Sequence, residues 1–133
     1  MNPAAFISET SAMIDGALYF SESEHPFTVS DWGAVAPGER NDKIAAMLQA
    51  DPGSLKQVDP AGFFERLGRS SDPGDEVLVQ NAAKLNKLFT YLQEQLSDIT
   101  VTRAEGSSRI PIVITGYLPG QSCIAIQTTA IET

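Results

Sequence analysis

Glu22 and Glu24 stand two residues apart in the run Leu18-Tyr19-Phe20-Ser21-Glu22-Ser23-Glu24-His25-Pro26-Phe27. Two carboxylates this close, between an apolar run and a His-Pro-Phe, can bind a metal, accept from Arg and Lys, or stand in for a phosphate group. Pro26 bars a helix from continuing through them. The residue before a proline is pushed towards extended backbone, so His25 is expected on a loop or a strand entry. Period-two alternation then places Glu22 and Glu24 in one direction and Ser21 and Ser23 in the other. The chain ends on Ile131-Glu132-Thr133, directly after a strand-like run.

Enzymatic readings find little support. His25 is the only histidine, so any Ser-His-Asp or Cys-His mechanism would have to use it. Cys123 lies inside a strand pattern and reads as a small packing residue. One Cys and one His make no zinc site, and the scattered glycines form no phosphate-cradling loop. From the residues alone, three readings of Glu22 and Glu24 stay open. They are a solvated loop, a low-affinity calcium site completed by Asp31, and a small two-carboxylate hydrolase. No aromatic substrate groove is visible near them. The expectation is a protein that is not an enzyme and carries no cofactor.

Seventeen acidic against nine basic residues give a formal charge of -8 and a sequence pI near 4.4. Such a field repels nucleic acid and steers basic partners inward, although acidity also serves solubility. No apolar run approaches the roughly 20 residues that span a bilayer. No Lys or Arg precedes Arg40, so the basic start of a signal peptide is missing. A single cysteine fits a reducing compartment. Together these predict a cytoplasmic protein with no direct nucleic-acid or membrane contact, and the length predicts one domain over 1–133.

The elements that must position the carboxylates follow from periodicity. Pro3 and the stripe Phe6, Thr10, Met13 and Ala17 predict a helix over 3–17. Phe27 to Trp32 reads as a strand, with Trp32 in the core. Further helices are expected at 39–49, 60–67 behind Asp59-Pro60, and 75–96, where Leu78, Ala82, Leu85, Phe89 and Leu92 line one side. Leu55 to Val58 is a weaker strand pattern. The last third changes to period two over 99–104, 110–116 and 123–130. The turns Gly106-Ser107-Ser108 and Pro119-Gly120 make an antiparallel three-strand meander, hence an α+β domain.

Phe20-Ser21-Glu22-Ser23-Glu24-His25-Pro26-Phe27, with Val29, Trp32, the pair Phe63-Phe64 and the ending Glu132-Thr133, resembles the nuclease A inhibitor family. The resemblance implies an α-β-α sandwich and an inhibitor of a sugar-nonspecific, metal-dependent nuclease that acts on DNA and RNA. It further implies that Glu22 approaches the divalent metal of the partner nuclease. Ser23 would lie beside it at the interface, Glu24 would pair with basic groups or brace the loop, and Glu132, Thr133 and the terminal carboxylate would also belong to the interface. The inhibitor would be a monomer before complex formation. A member of the same fold turned to another partner, or a small metal-binding or hydrolytic domain, is the alternative. The segment Gly68 to Asp75 lacks an aromatic that the family carries in the corresponding loop.

Overall fold

The computed structural model describes residues 2–133. Helix α1 spans Pro3–Ile14, and the Asn2 side chain accepts from the Ala5 amide at 2.7 Å. It buries Phe6, Thr10 and Ile14, the stripe expected from the 3–4 spacing. The helix stops short of the predicted residue 17. Gly16 takes a left-handed φ of +77°, and the chain turns into a strand, β1 (Leu18–Phe20), that the periodicity did not indicate. The reason is a long-range one. Asn81 accepts from the Leu18 amide at 2.8 Å and donates to the Leu18 carbonyl at 2.9 Å, holding the backbone extended.

Strand β1 pairs antiparallel with β2 (Glu24–Pro26) in the register Leu18↔Pro26, Tyr19↔His25 and Phe20↔Glu24. Next come β3 (Thr28–Ala34), helix α2 (Arg40–Leu48), β4 (Leu55–Val58), α3 (Pro60–Leu67) and α4 (Glu76–Gln95). Asp59 and Asp75 cap α3 and α4 by accepting from the amides of Gly62, Val77 and Leu78. The chain closes with β5 (Ser97–Ala104), β6 (Arg109–Tyr117) and β7 (Ser122–Ile131). The meander is antiparallel as expected, and it lies inside a five-stranded antiparallel sheet ordered β3-β7-β6-β5-β4.

Both faces of that sheet are covered. Ile112, Ile114, Ile124 and Ile126 join Phe6, Phe64, Leu85, Leu88 and Leu92 in the main core, beneath α1, α3 and α4. On the reverse face Val113 and Ala125 pack against Ile44 of α2. The result is the α-β-α sandwich. It explains why β6 and β7 carry apolar residues on consecutive positions such as Ile112-Val113-Ile114, as strands buried on two sides do. Trp32 is half-buried, packed against the reverse-face clusters.

Candidate functional site

The β1–β2 hairpin packs along the end of β7, so its loop Ser21-Glu22-Ser23 meets the last residues of the chain. The two pieces are joined by hydrogen bonds. The Glu22 amide donates to the Ile131 carbonyl at 3.2 Å, and the Ile131 amide donates to Ser21 Oγ at 2.9 Å. Within the loop, the Ser21 amide donates to the Ser23 carbonyl at 2.9 Å and Ser21 Oγ does so at 3.3 Å. Ser21 therefore ties the tip both to itself and to β7.

At the tip, Glu22 Oε2 accepts from the Thr133 amide at 2.6 Å, and both Glu22 oxygens lie 2.9 Å from Thr133 Oγ1. Two donors thus orient a carboxylate that has about four lone-pair sites, and the side chain is solvent-exposed. Glu22 is held in place with acceptor capacity to spare. It could complete the coordination of a cation supplied by another molecule.

Glu132 is held differently. Arg103 Nη2 donates to both of its oxygens at 2.8 Å, while Arg103 Nε donates to Glu105 Oε2 at 2.9 Å. Lys56 Nζ lies 3.5 Å from the other Glu105 oxygen. The Arg103 side chain is only 17% exposed. Burial disfavours its charge, but the hydrogen bonds and negative charge of Glu132, aided by Glu105, outweigh that and raise its pKa. The same arginine lies beside Tyr19, whose phenol burial pushes up while Arg103 pulls it back. The Glu132 amide also donates to the Ser108 carbonyl at 2.9 Å. Glu132 is thus a strut under the tail, its charge neutralised from within, whereas Thr133 holds the Glu22 carboxylate.

The simple alternation expected for the pair does not apply. Glu22 sits on a bend, and Glu24 is already in β2 opposite Phe20. A side-chain period of two needs continuous extended backbone, which the three-residue loop interrupts. Glu24 is exposed and its carboxylate makes no hydrogen bond among the described residues, so it braces nothing; Ser21 does that work. Ser23 contributes its carbonyl to the loop and its side chain is exposed. Ser21 was passed over in the sequence because a serine beside two glutamates carries no signal of its own. Its partner, Ile131, is distant along the chain.

The calcium reading finds no support in the geometry. Asp31 is on β3 with Oδ1 accepting from the Gly33 amide at 2.8 Å, and no metal-binding group of three or more His, Cys, Asp or Glu occurs among the described residues. His25 pairs with Tyr19 across the hairpin, and its Nδ1 is buried. Cys123 is fully buried in β7, and burial pushes its thiol up, away from nucleophilic use.

Residues 4–133 match the family model for nuclease A inhibitor-like proteins. The chain belongs to that family. No curated protein matches the sequence. Nearly all of the described chain of this nuclease A inhibitor-like protein is thus accounted for by one family, from α1 through the tail that holds Glu22. Its loop between α3 and α4 is short and polar, organised by Ser70 and Asp72. Asp72 Oδ1 accepts from the Gly74 amide at 2.9 Å, and Ser70 Oγ donates to the Asp72 carbonyl at 2.8 Å.

Proposed function

We propose that this protein inhibits a sugar-nonspecific, metal-dependent nuclease by placing Glu22 where the scissile phosphate docks. Metal-dependent nucleases gather a divalent cation and basic groups at that point. A carboxylate offers them negative oxygens without a cleavable ester bond. The supporting observation is the geometry of Glu22: exposed at a hairpin tip, oriented by Thr133, and left with unused lone pairs. Glu24 supplies an unpaired charge on the adjoining strand and so belongs to the rim. Glu132 acts through the tail that it fixes. The protein itself performs no catalysis, and it reaches its nuclease in the cytoplasm as a monomer. The -8 charge favours encounter with a basic partner and disfavours nucleic acid.

The test is the inhibition constant of Glu22→Gln against the cognate nuclease loaded with its metal. Gln keeps the shape and removes the charge. Loss of one member of a desolvated charge pair costs about 2–5 kcal/mol, or roughly 30-fold to several thousand-fold in affinity. Glu24→Gln should cost far less and act mainly on the association rate, as rim charges do. Wild-type inhibition by Glu22→Gln would refute the mimicry.

A further inference from the structure

Four large apolar side chains are exposed among the described residues: Phe20, Met47, Val77 and Val79. Scattered singly, such residues need no explanation. Two of these are not scattered. Phe20, 37% exposed, and Val77, 67% exposed, line one depression together with Leu18, Asn81 and Lys84. On its other side Phe20 borders a second depression that includes Arg66, Arg69, Ser70 and Ser71.

We propose that Phe20 and Val77 form the apolar anchor of the surface that binds the nuclease, with Arg66 and Arg69 on its rim. The occupant is the flank of the nuclease beside its metal site, presenting an apolar side chain bordered by carboxylates. The inference rests on the reading that Glu22 enters that site, and it follows from distance. Phe20 is two residues from Glu22, which even a fully extended chain would set no more than about 7 Å apart. A standard interface covers about 800 Å² per partner, a disc of roughly 16 Å radius, so one centred on the Glu22 tip must cover Phe20.

Interface centres favour aromatics and arginine, and this patch has both. The patch is of mixed charge, with Glu24 opposite Phe20 in the hairpin and Glu76 beside Val77 at the start of α4. Asp72 and Asp75 orient their carboxylates on the amides of Gly74, Val77 and Leu78. Arg66 makes no ion pair among the described residues, and Arg69 only a marginal one with Glu65 at 4.0 Å. These two guanidinium groups, without a close internal partner, are open to an acidic counterpart on the nuclease.

The experiment measures inhibition constants and thermal midpoints for Phe20→Ala, Val77→Asp and Val79→Asp beside Glu22→Gln. Val77 lies in the first turn of α4, where a carboxylate suits the helix dipole, so Val77→Asp folds even if Phe20→Ala does not. Phe20→Ala and Val77→Asp should each weaken inhibition about 30-fold or more, as loss of an anchor does. Val79 lines neither depression, and Val79→Asp should inhibit like wild type. If Glu22→Gln fails to inhibit while Phe20→Ala and Val77→Asp inhibit normally, the anchor is wrong and the Glu22 reading survives. If Glu22→Gln inhibits normally, that reading falls and the anchor with it.

Discussion

Replacing Ser21 with alanine removes the group that ties the hairpin tip to itself and to β7, without touching Glu22. Ser21 Oγ accepts from the Ile131 amide at 2.9 Å and donates to the Ser23 carbonyl at 3.3 Å. The first is a well-formed neutral hydrogen bond, worth about 1 kcal/mol net; the second is long and contributes roughly a few tenths. Both atoms sit at an exposed edge, so water can replace what the alanine lacks, and no desolvated orphan is left. The stability loss should therefore be about 0.5–1.5 kcal/mol. The affinity loss obeys the same ceiling. A loosened tip must be re-ordered on binding, and that cost cannot exceed the energy of the bonds that ordered it. About 1.4 kcal/mol corresponds to tenfold, so Ser21→Ala should weaken inhibition by up to about tenfold.

A double-mutant cycle with Glu22→Gln isolates the cause. If Ser21 acts by positioning Glu22, Ser21→Ala should matter little once the Glu22 charge is gone, and the two effects will not add. Measuring inhibition constants for wild type, both single variants and the double variant, with urea denaturation for each, completes the assay. Additive losses, or a Ser21→Ala effect as large as that of Glu22→Gln, would show Ser21 touching the nuclease directly and would refute the positioning argument.

Thr133→Val keeps the amide that donates to Glu22 and removes the hydroxyl, so inhibition should weaken by a few-fold with little change in thermal midpoint; unchanged inhibition would show that the amide alone sets the carboxylate. On α4, burial and the Tyr91–Glu9 hydrogen bond push the Tyr91 phenol up to about 12. A folded-state pKa above the unfolded 10 means the stabilisation is complete below pH 10 and is lost as pH rises towards 12. Tyr91→Phe should therefore be less stable than wild type at pH 7, with the gap closing between pH 10 and 12 in denaturation curves. A gap that persists through pH 12 would show that ionisation of the phenol is not what couples to folding, since Phe keeps the ring stacked on Phe6.

Periodicity made most of the fold legible. The expected helix at 60–67 and the strand at 55–58 coincide with α3 and β4. Residues 75–96 exceed α4 by one residue at each end. These segments are fixed by local caps and apolar stripes, which are written in consecutive residues. The expected helix at 39–49 stops at Leu48, where Gln49 turns left-handed at φ +53° ahead of the Asp51-Pro52-Gly53 stop signal. What local pattern missed was set by distant partners. The overextended first helix and the unseen strand β1 both trace to Asn81, far along the chain. The candidate site divides the same way. Glu22 and Thr133 were legible as exposed polar groups on a loop and a strand end, and the structure brings them together. That Arg103 pairs with Glu132, and that Ser21 rather than Glu24 braces the loop, depends on the register of β5, β6 and β7.

That register bears on how an inhibitor can be strongly acidic overall and selective at one point. A cluster of free carboxylates around the tip would repel itself and bind cations indiscriminately. Here Arg103, largely buried beneath the edge, absorbs Glu132 and Glu105. Lys56 adds a second cation beside Glu105. The charges left uncompensated at this edge are Glu22 and Glu24. One is oriented by two donors and the other is unconstrained. The diffuse field of the remaining acidic surface works over a Debye length of about 8 Å at physiological ionic strength and governs encounter. On the proposed reading, a single oriented carboxylate works at contact and governs release. In the proposed mechanism, separating these tasks requires an internal cation at the tail, because a free Glu132 would compete with Glu22 for the partner's metal.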